Sequence, residues 1–204
     1  MGKKGLLIGC LLCCILLLAG CGENPPKNLT TSEKTNMVLV KEDGTVESLT
    51  VEDFSKDDYD EDELKQYIND SVSKYNASAG EGAVALTELS VKDGKAKMLL
   101  SYQTAKDFSD FNGMTLEVTA AGDAASLSGM PDKLTSIKNG DATAAADAAA
   151  GKKTAAVSLG AAGDGEEAYT LIVPGKITYY NGGTITGTFS IAEGDSGCTV
   201  IYEQ

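Results

Sequence analysis

Val84-Ala85-Leu86-Thr87-Glu88-Leu89-Ser90-Val91-Lys92-Asp93-Gly94-Lys95-Ala96-Lys97-Met98-Leu99-Leu100-Ser101-Tyr102 joins two apolar runs through Asp93-Gly94. A tight turn between strands needs backbone that tolerates positive φ at both central positions, and Asp-Gly supplies it, so this stretch predicts an antiparallel hairpin. The same logic holds upstream, where Met37-Val38-Leu39-Val40 and Val46 to Val51 flank Glu42-Asp43-Gly44. Two hairpins and the segment between them set the class of fold.

That segment contains Asp60-Glu61-Asp62-Glu63-Leu64-Lys65-Gln66-Tyr67-Ile68-Asn69-Asp70-Ser71-Val72-Ser73-Lys74-Tyr75. Leu64, Tyr67, Ile68, Val72 and Tyr75 recur at helical spacing, which predicts one amphipathic helix with this stripe on a core. Asp60 with Glu63 three residues on fits a capping box with Asp as the cap, and the early acids suit the positive end of the helix dipole. After the second hairpin, Asp107-Phe108 echoes the Asp53-Phe54 that follows the first. A β-β-α unit used twice accounts for the echo; shared turn chemistry accounts for it equally well, because the two pairs of landmarks are not evenly spaced.

Between Thr119 and Asp164 the chain is rich in Ala, Gly and Asp, and large side chains are scarce. Such a segment brings little surface to bury, so the weakest order is expected there. The strand pattern returns in Tyr169 to Val173, Ile177 to Tyr180, Thr184 to Ile191 and Cys198 to Tyr202, separated by Pro174-Gly175, Asn181-Gly182-Gly183 and Gly194-Asp195-Ser196-Gly197. The expected class is α+β: antiparallel hairpins covered by one main amphipathic helix, then a C-terminal antiparallel β region. Residues 37–204 form the globular part, with 37–118 and 154–204 as candidate subdomains about the Ala/Gly-rich segment.

The N-terminus carries a different signal. Lys3 and Lys4 precede an apolar run from Gly5 to Leu18, followed by the small residues Ala19 and Gly20 and then Cys21. These are the three parts of an export signal, and the apolar run is short of the about 20 residues that span a bilayer. Leu18-Ala19-Gly20-Cys21 strongly resembles the lipobox of bacterial lipoproteins. The resemblance implies a signal peptide over 1–20, cleavage between Gly20 and Cys21, and acylation of Cys21 by diacylglycerol and palmitate-type chains. A rival box at Leu7-Ile8-Gly9-Cys10 has only Gly5 and Leu6 as apolar run, and Leu6 stands where Gly2 myristoylation wants Ser or Thr. Two acyl chains hold a protein at a membrane where one is marginal. Residues 21–36, polar and marked by Pro25-Pro26, read as a flexible membrane tether with a root-mean-square span of about 20 Å and an extended limit of about 50 Å.

Without residues 1–20 the chain has 15 Lys and 30 acids, a formal charge of −15, with no Arg, His or Trp. Nucleic acid is not an expected partner, since its affinity comes from clustered cations that release counterions. The missing Arg and His remove the bidentate anion clamp and the imidazole base. Cys10, Cys13 and Cys14 leave with the signal and Cys21 is acylated, so Cys198 is the remaining thiol; its apolar surroundings predict a buried, inert group.

Several short motifs suggest chemistry and fail on context. The run Asp57 to Glu63, aligned as a calcium loop from Asp58, has Glu63 where Gly is required and Asn69 where Glu is required, so capping and solvation are the expected roles. Ser71-Val72-Ser73-Lys74 matches S-x-x-K of serine acylases without its companion motifs, and the Ser71 hydroxyl is expected to bond back to the Tyr67 carbonyl. Gly80-Glu81-Gly82-Ala83-Val84-Ala85 follows a helix and enters a strand, the reverse of a dinucleotide cradle. Gly151-Lys152-Lys153-Thr154 lacks the upstream Gly of a P-loop, since Ala146 stands there. An acid pair such as Asp53 with Asp107 would suit hydrolysis, but among 30 acids some pairs lie close by chance. Tyr179-Tyr180 is expected to divide between core and surface, with stacking on a sugar or peptide as the functional alternative. No catalytic, cofactor or metal residue is expected.

The lipobox, Val51-Glu52-Asp53-Phe54 ahead of the Tyr59-centred acidic helix start, Asp107-Phe108-Ser109-Asp110-Phe111-Asn112, Val173-Pro174-Gly175-Lys176-Ile177 and the closing Val200-Ile201-Tyr202-Glu203 together resemble small uncharacterised lipoproteins of Gram-positive anaerobes. That likeness implies no activity or site residues. The expected function is a membrane-anchored, extracytoplasmic surface-binding or envelope-interaction module, its partners the membrane, through its lipid, and a surface ligand or envelope protein. A carboxylate-dependent hydrolase of wall or carbohydrate substrate and a calcium-dependent adhesin are the alternatives. A hydrolase needs converging carboxylates with raised pKa in a cleft; a binding module needs only an exposed apolar or aromatic patch.

Overall fold

The computed structural model describes residues 24–163 and 165–204. The signal region expected over 1–20, the cleavage expected between Gly20 and Cys21 and the acylation expected at Cys21 lie outside the described residues. Both expected hairpins form: β1 (Met37–Val40) pairs with β2 (Val46–Asp53), and β3 (Val84–Lys92) with β4 (Lys95–Tyr102), all antiparallel. In the second turn Asp93 and Gly94 have φ of 52° and 71°, the left-handed pair that this turn requires.

Each hairpin is followed by a helix, α1 (Glu61–Ala79) and α2 (Ala105–Asn112), so the β-β-α unit does occur twice. Asp60 caps α1 by accepting the Glu63 N–H at 3.0 Å, and Thr104 caps α2 through the Asp107 N–H at 3.1 Å. Strands β2 and β4 lie side by side antiparallel, Val46 opposite Tyr102 and Asp53 opposite Lys95.

The protein is α+β, with two sheets rich in antiparallel pairs. One has the order β11-β12-β9-β1-β2-β4-β3, where β9 is Thr170–Ile172, β11 Thr184–Gly187 and β12 Ser190–Ala192. The other has the order β5-β8-β13-β10-β6-β7, with β5 at Leu116–Val118, β6 at Lys133–Ser136, β7 at Ala142–Ala144, β8 at Thr154–Leu159, β10 at Lys176–Asn181 and β13 at Cys198–Glu203. The C-terminal strands therefore do not build a sheet of their own. β9, β11 and β12 extend the first sheet through a parallel β1–β9 pair, Met37 opposite Thr170, while β10 and β13 enter the second. For the same reason 37–118 and 154–204 are not separate subdomains, since β5 belongs to the second sheet and each sheet draws on both halves.

Between the sheets lies the main core, where Val38, Val46 and Leu100 of the first sheet join Val157, Val200 and Tyr202 of the second, with Ile68 and Phe108 from the helices. The outer faces are apolar too, and each is covered by a segment expected to be loose. Over the second sheet, part of the Ala/Gly-rich stretch, with a 3-10 turn at Ala124–Ser126 and the short α3 (Ala145–Ala148), buries Ala124, Leu127, Ala148 and Ala149 against Leu134, Ala156 and Ile201. Small side chains let this backbone approach the sheet closely, so their scarcity of bulk serves packing and not disorder.

Over the first sheet, residues 24–36 form a strap. Leu29, 6% exposed, packs on Met37, Leu39, Leu49, Val51 and Leu99. The Leu29 N–H donates to the buried Glu47 carboxylate at 2.7 Å, which also pairs with the Lys41 ammonium. Further along, Lys97 Nζ donates to the carbonyls of Thr31 and Glu33, and Asn36 accepts from the Val51 N–H at 2.8 Å. The flexible tether expected over 21–36 is thus a docked element from Asn24 onward, because with Phe189 it covers the outer side of β1 and β2. Leu29→Ala should cost about 2–3 kcal/mol, the range for a buried leucine truncation, and lower Tm by about 5–10 °C in a domain of this size. A thermal melt checks this, and an unchanged Tm would show the strap to be idle.

Candidate functional site

α1 and α2 converge over the helix side of β3 and β4 and leave a groove between them of about 560 Å³. Leu64, Ile68, Val72 and Tyr75 of α1 turn toward the core, but Tyr67, expected in that stripe, is 72% exposed at the groove rim. The helix stripe is narrower than the spacing suggested because Tyr67 lies on the flank of α1 that faces the groove, where the gap to α2 leaves the ring uncovered. Phe111 of α2 meets the Tyr75 ring edge-on at 5.6 Å and lies 6.2 Å from Tyr102, whose ring contacts Phe108 at 5.2 Å.

Polar groups fix these rings. The Tyr75 hydroxyl donates to Asp107 Oδ1 at 3.1 Å, and Thr104 Oγ1 donates to Asp107 Oδ2 at 2.6 Å. Loss of water and the adjoining Asp107 carboxylate push the Tyr75 phenol up to about 12, so it stays a donor at neutral pH. Tyr102 is buried and likewise raised to about 12 by desolvation, with its hydroxyl shared between Ser48 and Asn112. The groove presents the rings of Tyr67, Tyr75 and Phe111 on rigid elements, with Lys74 along it.

The other sequence candidates resolve into structural roles. Ser71 Oγ donates to the Tyr67 carbonyl at 2.9 Å, which spends the hydroxyl on the helix. Asp53 and Asp107 do not meet: Asp53 lies at the β4 start and Asp107 just beyond the β4 end, about 23 Å apart along the strand. Bonds from Ser55, aided by Lys95, lower the Asp53 pKa, the opposite of a general acid. Among the described residues no three Asp, Glu or Cys side chains cluster to hold a metal, and the acidic run is used in the α1 cap and first turn. Gly80-Glu81-Gly82 is the return loop from α1 to β3, and in Gly151-Lys152-Lys153-Thr154 the Thr154 hydroxyl binds the Ala149 and Gly151 carbonyls. Tyr179 and Tyr180 are both half-buried, one in each core flanking the second sheet, because neither face of that sheet is open. No described helix is long and apolar enough to cross a membrane.

Two buried carboxylates escaped the sequence reading. Glu47 is the strap's anchor. Glu193, 7% exposed, accepts the Ala162 and Tyr169 N–H groups through Oε1, while Oε2 has no hydrogen-bond partner among the described residues. Desolvation raises its pKa above the usual carboxylate range. A usable sign lay in Ile191-Ala192-Glu193, where an acid interrupts an apolar strand. Compared with protein-family models, with curated proteins and with solved structures, the chain finds no match.

Two measurements check these environments. Burial, with help from the Glu193 charge, pushes the Cys198 thiol up to about 12, so it should resist thiol reagents at pH 8 in the folded protein and react in denaturant. For Glu193, the folded state holds its proton more tightly than the unfolded chain. Stability is therefore lost as pH rises from the unfolded value near 4.5 through the raised folded value. Glu193→Gln keeps the two accepted N–H bonds and removes the charge; its Tm should exceed the wild type's at pH 7 and the gap should close below pH 4.5.

Proposed function

We propose that this chain is a lipid-anchored, extracytoplasmic lipoprotein that works as a non-catalytic surface-binding module, moored through Cys21 and contacting its ligand along the α1–α2 groove. Leu18-Ala19-Gly20-Cys21 behind its short apolar run carries the anchoring half of this reading. The exposed Tyr67 beside Tyr75 and Phe111 carries the binding half, because a ring left 72% in water on a rigid helix is available for stacking. A carboxylate hydrolase draws less support: Asp53 and Asp107 sit at opposite ends of a strand, and Glu193 is buried under backbone donors away from any second acid with a raised pKa.

Anchoring is tested by fractionating cells that express the full chain. The intact protein should sediment with membranes and show an acylated N-terminal Cys21 by mass spectrometry, and Cys21→Ala should stop acylation and cleavage. An unmodified thiol at Cys21 in the native protein would overturn the anchor. For binding, a thermal-shift screen against wall fragments, oligosaccharides and peptides should give a rise with one class that Tyr67→Ala abolishes at unchanged ligand-free Tm. A rise indifferent to Tyr67→Ala would move the site elsewhere.

A further inference from the structure

From the docked strap and the position of Asn24 we infer that one end of the sandwich rests on the lipid headgroups, so that the domain lies against the bilayer and not at the end of a long leash; this rests on acylation of Cys21. The strap enters at the end where β1 turns into β2. It runs along the outer face past Glu47 and Lys97, then reverses at Asn36 into β1. Asn24 lines three depressions at that end, shared with the β1–β2 turn, with Pro174-Gly175 after β9, and with the Thr188-Phe189 turn between β11 and β12. The register places all three turns at the same end: Val40 lies opposite Val46, and Ile172 opposite both Leu39 and Ser190.

Chain length then fixes the standoff. Cys21 precedes Asn24 by three residues, a reach of at most about 11 Å at 3.3–3.6 Å per residue. The headgroup region is itself roughly 5–8 Å deep on each side of the hydrocarbon. Turns beside Asn24 therefore fall within or just above the headgroups. Had 21–36 been free, the limit would have been about 50 Å and no face would be selected.

The chemistry of this end fits a lipid surface better than the rest of the molecule does. Lys27, Lys41 and Lys176 line these depressions, and Lys152 and Lys153 adjoin them through the Gln204 N–H on the Lys153 carbonyl. The same depressions carry the acids Glu33, Glu42, Asp43 and Glu203, and Lys41 pairs with Glu47, so five lysines stand with five acids, a neutral balance on a mature chain of −15. An anionic bilayer repels the acidic remainder and turns this end inward. Half-exposed Phe189 and the Pro25-Pro26 pair supply apolar contact at the interface.

The chain contains no Trp, so a single introduced one is a clean reporter. Thr188→Trp, on the exposed turn, and Lys92→Trp, at the opposite end of the first sheet, are made in the full acylated protein. Each is reconstituted into vesicles of phosphatidylcholine and phosphatidylglycerol carrying a nitroxide at the headgroup. Thr188→Trp should lose at least half its fluorescence and Lys92→Trp almost none, while both sediment with the vesicles. Leu29→Asp, which frees the strap, should relieve the quenching at position 188 without releasing the protein. Equal quenching at both positions, or stronger quenching at 92, with vesicle retention intact, would overturn the proposed face alone. Loss of retention would overturn the anchor, and the face with it.

Discussion

Each sheet of this protein has apolar side chains on both faces, and that constraint organises everything else. In β1 the four residues Met37–Val40 are all buried, two toward the neighbouring sheet and two away from it. In β13 the residues from Cys198 to Tyr202 are buried the same way. A sandwich with a single core would leave one face of each sheet wet. Here the outer faces require cover of their own, which comes from the segment before the first strand and from the segment between the two halves. Burial of Leu29 on one side and of Leu127 with its alanine neighbours on the other completes a stack of three apolar layers. Order in those segments is a result of the sheets they cover.

This explains which parts of the fold could be read from the chain. The hairpins and α1 were legible because their causes are local: Asp93-Gly94 with its left-handed backbone, Asp60 as cap, and the spacing of Leu64, Ile68 and Val72. The strap and the Ala/Gly-rich segment were not, because nothing within them announces order, and their partners lie far away in sequence. A sign was present in Val46-Glu47-Ser48-Leu49-Thr50-Val51, where neither alternating set is wholly polar, as happens when both faces of a strand are covered. Allocation of the C-terminal strands was also beyond local reading. Tyr169 to Val173 would suit either sheet, and its parallel partnership with β1 is a tertiary choice. At the candidate groove, the residue types were read and the geometry was not: Tyr67 has the right spacing for burial, and the gap between α1 and α2 leaves it in water.

Buried charge is used sparingly and with two different outcomes. Glu47 is fully engaged, with a backbone N–H and a lysine, and so fixes the strap's register on the sheet. Glu193 is engaged on one oxygen only, which makes it the dissonant group of the described structure and leaves its charge poorly supported. Both serve to bind chain to chain: Glu193 gathers Ala162 and Tyr169 beside β12 much as Glu47 gathers Leu29 beside β2.

The parallel contact between β1 and β9 has a kinetic corollary. β1 completes its hydrogen bonding only with β9, a strand far downstream, so the first sheet stays unfinished until β9 has been made. Loop-closure entropy delays that union further, and the strap has no finished platform before it happens. A chain built this way keeps one side of β1 open until β9 arrives, and closes only then.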